Sequence, residues 1–293
     1  MAVRYRLVGI IVAVCGCVAP ATASQQATQA ARPLYLALGD SLAAGMQPDA
    51  SGRDRPTTHG YVDVVARSLA RSHSGLTHRT LSCGGATSVT LLHGGETCQP
   101  DGDPGQLKRA EQILAANPST VLVTLDVGDN DIEACINGDT GSVNSTCVKR
   151  GEAKLRQNLP QIARRLRVAT PASTPVIGLV DYDQFLSLWL EGATGRAAAQ
   201  RSLAIIRHLN QIVTSIYRNA GLVVADASGR FATEDLAHRR WLDGHGSVPL
   251  NVYKICTLTW ACSPEPIGHD DHARPAGYYQ LGEAILDALH TQR

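Results

Sequence analysis

The sequence predicts an α/β fold: a single three-layer αβα domain built on a five-stranded parallel sheet. Three observations carry this reading. Five short apolar runs punctuate the chain, amphipathic helical stretches lie between them, and no internal repeat or interdomain linker interrupts the alternation. Buried parallel strands read as near-continuous runs of Val, Leu and Ile. Strand–helix alternation places helices on both faces of the sheet.

The first run is Leu34–Leu38. Tyr61–Ser72 follows as a helix, with apolar residues at 61, 62, 64, 65 and 69. The second run, Leu76–Leu81, precedes a helix at Gln106–Ala116 that Pro118 closes. The third run is Thr120–Asp126, and the next helix, Glu152–Val168, is closed by Pro171. After the fourth run, Pro175–Asp181, the stretch Arg196–Asn219 sets Leu203, Ile206, Ile212 and Ile216 roughly on one face and ends before Gly221. The fifth run is Leu222–Asp226, and Ala276–Leu289 is the last helix. Residues 227–274 read as a long irregular loop rich in His, Gly and Pro, a type that usually carries function in a compact domain. Trp189 and Trp241 read as core or rim residues, and His59, His73, His78 and His93 as surface positions.

The chain has 293 residues, 44% hydrophobic and 18% charged, the balance of a globular protein. Its 27 basic and 26 acidic residues leave a formal net charge of +1, without the basic footprint that nucleic-acid binding requires. Residues 1–23 read as a signal peptide: Arg4 and Arg6, an apolar run from Leu7 to Val18, and a small-residue cleavage site at Ala21-Thr22-Ala23. The run is short for a membrane span. Cys17 leaves a lipidated start as a rival reading, and an uncleaved anchor is a second. Residues 24–32 form a flexible lead-in to a domain spanning 33–293, expected outside the cytoplasm, secreted or in the cell envelope, and monomeric.

Beyond the signal lie Cys83, Cys98, Cys135, Cys147, Cys256 and Cys262. They fall into neighbouring pairs 15, 12 and 6 residues apart, each bracketing a loop with Gly, Asn or Pro. Six cysteines allow about 15 connectivities; pairing within neighbours is the expectation, in an oxidising compartment.

In an open parallel sheet the active crevice lies beyond the carboxyl ends of the strands. Four segments there carry chemistry. Gly39-Asp40-Ser41 follows the first run and sets a serine at a strand-to-helix turn, although either side chain also suits a helix cap. Cys83-Gly84-Gly85 follows the second, where paired glycines let backbone amides approach a ligand. Gly128-Asp129-Asn130-Asp131 follows the third, and an Asn amide there can donate to a developing oxyanion. His269-Asp270-Asp271-His272 stands before the last helix; His is the usual general base because it titrates near neutrality. Asp181-Tyr182-Asp183, after the fourth run, could line the crevice, although a solvated strand end is the plainer reading. Asn144-Ser145-Thr146 is a glycosylation sequon, meaningful only in a eukaryotic host.

In this order the four segments resemble the SGNH, or GDSL-type, hydrolase family, over about residues 34–290. The similarity is to its secreted actinobacterial lipase-like branch, which also has three local disulfides. The resemblance implies a flavodoxin-like fold and an ester hydrolase with no metal or cofactor. Ser41 would be the nucleophile and His272 the base. The Ser41 and Gly85 amides and the Asn130 side chain would form the oxyanion hole. Gly277 and Tyr278 match the family's Gly-Tyr after the histidine. The substrate would be a small-molecule, lipid or polysaccharide ester.

Two positions depart from the family. It has Asp three residues before the histidine and Pro after it; here these are His269 and Ala273. The group orienting His272 stays open among Asp270, the nearest substitute, Asp271, and a backbone carbonyl near Trp260. Two other functions compete. A metal site could use His269, Asp270, Asp271 and His272, with His245 upstream, but adjacent residues rarely all reach one ion and no His-x-x-x-His pair occurs. A non-catalytic or carbohydrate-binding protein could use the same fold.

Overall fold

The computed structural model describes residues 1–2, 32–100 and 102–291. The expected signal peptide over 1–23 and lead-in over 24–32 lie almost wholly outside them. The elements, in chain order, are strands β1 (Leu34–Leu38), β2 (Met46–Pro48) and β3 (Asp54–Pro56), helix α1 (Tyr61–Leu69), strand β4 (Thr77–Thr80), helices α2 (Ser88–His93) and α3 (Gln106–Ala116), strand β5 (Thr120–Leu125), helix α4 (Ser145–Ala169), strand β6 (Val176–Val180), helix α5 (Gly192–Asn219), strand β7 (Val223–Asp226), helix α6 (Ala227–Arg230), strands β8 (Arg239–Leu242) and β9 (Gly246–Pro249), and helices α7 (Leu250–Leu258) and α8 (Pro275–His290). No described helix is long and apolar enough to cross a membrane.

Five strands pair in the order β4-β1-β5-β6-β7, every neighbour parallel. The five predicted runs are these five strands. The first strand to form a pair beyond β1 lies on one side of it and all later ones on the other. The crevice between the carboxyl ends of β1 and β5 is therefore the topological switch point, where α/β sheets bind ligands.

The two faces of the sheet bury separate cores. Tyr35 and Ala37 of β1 join Leu122, Ile177 and Ala225 beneath α1 and α8. The alternate residues Leu36 and Leu38 join Val123, Leu125 and Val176 beneath α3, α4 and α5. The β6 strand lies between β5 and β7 and packs so close to α5 that a Cβ at Gly178 would collide with the Tyr217 ring. Disulfides join Cys83–Cys98, Cys135–Cys147 and Cys256–Cys262, the nearest-neighbour pairs.

Three expectations need correction. The Leu76–Leu81 run is not a buried strand: β4 is an edge, and all four of its residues are exposed. An edge strand has only one neighbouring strand, and here all four side chains stay open to solvent, so Thr-His-Arg-Thr is tolerated. Helix α4 starts at Ser145, seven residues before the expected Glu152, because the Asn144 side chain caps the Cys147 N–H at 3.0 Å. The stretch 227–274 is irregular only in part: it holds α6, the β8–β9 hairpin and α7 before a loop from 259 to 274; its short elements lie below the length at which periodicity speaks.

Substituting Gly178→Ala is expected to overpack the α5–β6 contact and cost about 1–3 kcal/mol of stability. A fall in the urea unfolding midpoint with an unchanged slope would show it.

Candidate active site

At the end of β1 the chain passes so close to β5 that a Cβ at Gly39 would collide with Asp126 Oδ1. That same oxygen accepts the Asp40 N–H at 3.2 Å. Gln106, the first residue of α3, clamps the peptide from the other side. Its Oε1 accepts the Gly39 N–H at 2.9 Å and its Nε2 donates to the Gly39 carbonyl at 2.8 Å and to the buried Glu96 at 2.7 Å. Asp40 turns the chain by accepting the Leu42 N–H at 3.0 Å. Ser41 follows, half-buried on the floor of a small crevice.

The turn after β4 is tied to the same strand end, since the Cys83 N–H donates to the Gly39 carbonyl at 3.1 Å. This sets Gly84 beside the serine: a Cβ there would lie 4.0 Å from Ser41 Cβ. The amide N–H groups of Ser41 and Gly85 have no acceptor among the described residues. From β5, Asn130 reaches in and donates to Asp40 Oδ2 at 3.1 Å, which engages one of its two amide protons. Asp131 turns away and caps α2 through the Ser88 N–H and hydroxyl, at 2.8 and 2.7 Å.

His272 is buried just before α8. Its Nδ1 lies 3.2 Å from Asp270 Oδ1, 3.3 Å from Asp54 Oδ1 and 3.8 Å from Asp271 Oδ1. The Asp270 oxygen also accepts the backbone N–H of His272 at 3.0 Å. Tyr182, at the end of β6, donates its hydroxyl to the Asp271 carbonyl at 2.9 Å and holds the loop against the sheet. The Trp260 N–H donates to the His272 carbonyl at 3.0 Å, and the Arg274 guanidinium stacks over the Trp260 ring at 4.1 Å.

The crevice is acidic. Asp40, Asp129, Glu133, Asp181 and Asp271 line it with Ser41, Asn130 and Tyr182. Burial disfavours the charged form and pushes Asp40 up to about 6 against the opposing Leu42 hydrogen bond and the His272 charge. Burial pushes Asp129 to about 7 and Glu133 to about 8, the latter also through the Asp129 charge. Asp126 and Asp181 rise for the same reason, and each leaves one buried carboxyl oxygen without a partner among the described residues. At His272 the balance reverses: burial opposes the charge, but hydrogen bonds to Asp270 and Asp54 and the Asp271 charge carry the ring to about 11.

The family model described as the GDSL-like Lipase/Acylhydrolase family matches residues 37–278, from the β1 end to the start of α8. The chain belongs to the GDSL-like lipase/acylhydrolase family. By structure it is similar to a phospholipase A1 from Streptomyces albidoflavus, at 22% identity and a TM-score of 0.56, covering 90% of this chain and 100% of that one. It is also similar to an extracellular lipase from Streptomyces rimosus, at 20% identity and a TM-score of 0.52, covering 89% of this chain and 100% of the other. At these identities the likeness is one of fold. No curated protein matches the chain by sequence.

Within this family fold, Ser41, Gly85, Asn130 and the 270–272 loop come from four places in the chain to one strand-end region. Ser41 Oγ makes no hydrogen bond to His272, whose ring bonds Asp270, or to any other described residue. Of the three groups considered for orienting His272, Asp270 is nearest its Nδ1, Asp271 is farther, and no described backbone carbonyl bonds the ring. Asp181-Tyr182-Asp183 is not a solvated strand end: all three are buried, and Asp183 holds the Phe185 N–H and the Ser202 hydroxyl at 3.0 and 2.9 Å. Trp241 is neither core nor rim but exposed on the β8–β9 hairpin. The four-residue metal cluster does not form. Among the described residues the grouping outside the disulfides with donor atoms within 4.8 Å of one another is Asp54, Asp270 and His272, without His269 or His245.

Sequence reading missed Asp54, Gln106, Asp129 and Glu133. Asp54 belongs to a three-residue strand with no periodicity, and Gln106 looks like any helix-opening polar residue. Asp129 stood in a recognised motif, but its neighbour Asn130 carried the chemistry.

Replacing Gln106 by Leu would strand the Gly39 N–H and the Glu96 Oε1 in the interior, while the Gly39 carbonyl keeps the Cys83 N–H. The expected loss is about 2 kcal/mol or more, since each orphaned buried group costs roughly 1–3 kcal/mol, read as a lower denaturation midpoint.

Proposed function

We propose that this chain is an exported serine hydrolase of carboxylic esters, with Ser41 as nucleophile, His272 as general base and Asp270 as the carboxylate that orients the base. The observation that carries the reading is the His272 Nδ1–Asp270 pair at 3.2 Å, which leaves Nε2 free for a serine proton. Export is supported by the three disulfides, which persist in oxidising compartments, and by the N-terminal sequence.

In this mechanism His272 Nε2 takes the Ser41 proton as Oγ attacks the ester carbonyl. The negative charge that develops on the carbonyl oxygen is met by three donors: the Ser41 and Gly85 N–H groups and the second Asn130 amide proton. One such donor is worth roughly 2.7–4 kcal/mol in a comparable site. The Asn130 bond to Asp40 fixes the amide plane before substrate arrives, so little reorganisation accompanies the reaction. The imidazolium then protonates the leaving alcohol. Water, deprotonated by the same ring, releases the acid from Ser41.

A cavity of about 270 Å³ adjoins the serine crevice, with Ala134, Ile136, Phe185 and Ala261 in its lining and Glu133 and Asp271 shared with the crevice. It is smaller than the roughly 300–1,000 Å³ of sites that take drug-sized ligands. This supports short acyl groups.

Labelling with a fluorophosphonate and turnover of nitrophenyl esters from acetyl to palmitoyl test the reading together. Wild type is expected to label and to favour the short end; Ser41→Ala is expected to lose labelling and about 10⁴- to 10⁶-fold in kcat. Undiminished labelling of Ser41→Ala would remove the serine from the mechanism. The pH profile is a separate check. A base must be neutral, and a ring whose ionisation is raised to about 11 is charged at pH 7. The rate constant kcat/KM is therefore expected to keep rising with pH well beyond neutrality; a plateau reached by pH 7 would contradict the carboxylate environment of His272.

A further inference from the structure

The short β2–β3 hairpin carries a residue that the family pattern does not supply. It leaves the serine turn directly: the Met46 N–H donates to the Ser41 carbonyl at 3.0 Å. Its base is anchored twice. The Tyr278 hydroxyl of α8 donates to the Met46 carbonyl at 2.6 Å, and the Thr57 hydroxyl donates to the Gly45 carbonyl at 2.7 Å. Its tip rests on the loop that leads to His272, so close that a Cβ at Gly52 would collide with the Pro266 carbonyl.

Within the hairpin the charges sort themselves. Asp49 accepts the Ser51 and Arg53 N–H groups and takes the Arg55 guanidinium at 3.0 Å. Asp54 lies between Arg53 and Arg55 in the strand and so projects to the opposite side. There its Oδ1 lies 3.3 Å from His272 Nδ1, 0.1 Å farther than Asp270 Oδ1 at 3.2 Å. Asp270 is also committed to the His272 backbone N–H. Asp54 accepts no backbone N–H of that loop, but its carboxyl also meets that of Asp270, and its side chain is 41% exposed against 10% for Asp270.

We propose that Asp54 is a positioning residue for His272, its carboxylate paired with the same Nδ1 that bonds Asp270, so that the orienting carboxylate of this enzyme is divided between the serine-bearing segment and the histidine loop. The proposal rests on the hydrolase reading above. Two carboxylate oxygens lie within 3.3 Å of Nδ1: Asp270 takes the hydrogen bond and Asp54 pairs with the ring by charge. The hairpin thereby couples the histidine to the serine turn: a shift of either segment moves both partners. The other charged groups facing the ring are Asp271 from its own loop, Asp40 from the β1 end and Glu133 from the β5 loop.

The test compares Asp54→Asn, Asp54→Glu, Asp270→Asn and the double variant Asp54→Asn/Asp270→Asn with wild type, on a short-chain ester across pH 6–10. Asp54→Asn is expected to lower kcat about tenfold with KM unchanged, the low end for a hydrogen bond to a charged group at a part-exposed position. Its acid limb is expected to move to lower pH, because one anion that favours the imidazolium is gone. Asp54→Glu should recover most of kcat, and the double variant should lose less than the product of the single losses, as for two groups sharing one partner. The His272 ring titration, followed by NMR in Ser41→Ala with and without Asp54→Asn, reads the same shift without activity. An unchanged kcat and acid limb in Asp54→Asn would overturn the proposal. A loss that Asp54→Glu does not restore, with a lowered unfolding midpoint, would overturn it as merely structural. Loss of wild-type activity on dialysis against EDTA, restored by a divalent cation, would overturn it in favour of metal ligation. Ser41→Ala separates the two layers: full turnover in that variant sinks the hydrolase reading itself, whereas its inactivity beside a normal Asp54→Asn sinks only the role of Asp54.

Discussion

The close pass of the chain at Gly39 against Asp126 sets the position of almost everything else at the crevice. With no side chain at that point, the peptide can lie on the β5 strand end, where Asp126 takes the next N–H and Gln106 takes both polar groups of Gly39. The Gly39 carbonyl also receives the Cys83 N–H, so the glycine turn after β4 takes its place from the same peptide. Asp40 then holds Leu42 on one oxygen and Asn130 on the other. A single backbone group and one carboxylate thus relate three of the four segments that meet near Ser41. Buried polar networks of this kind hold a geometry firmly because any unpartnered member is costly.

The fourth segment is bound by charge. His272 sits among Asp54, Asp270 and Asp271, and beyond them among carboxyls whose burial favours the neutral form. The two halves of the site therefore have opposite preferences. The histidine is held toward the cation while Asp129, Asp181 and Glu133 are held toward the neutral acid. One buried cation stabilises the few carboxylates that face it, and the others avoid the cost of an unpaired charge by keeping their protons.

Much of the fold was legible because the signals were long or continuous. Leu34–Leu38 was delimited as it stands in the sheet, and the central strands β5 and β6 came within a residue or two, since strands covered on both faces are apolar throughout. The edge strand β4 was located but misjudged in burial, because its flanking leucines mark it while its own residues are polar. The serine turn, the glycine turn and the Asn130 turn, each at a strand end, and the histidine loop before α8 were legible as motifs. The short elements of 227–258 and the β2–β3 hairpin were not, since three or four residues carry no period to read. Nor was the burial of Asp181, whose N–H and carbonyl are both held by the Asn210 side chain from α5.

What the sequence by itself determined is the order of chemical parts along the chain: strand, serine turn, glycine turn, asparagine turn, histidine before the last helix. Those features are local, written in side-chain size, backbone freedom and apolar period. What only the tertiary structure decided is which carboxylates face the histidine. Asp54 and His272 are far apart in the chain, and the distance between them is set by a hairpin clasped between α8 and the Pro266 loop. No local propensity specifies that contact, because charge acts through space and is blind to sequence separation.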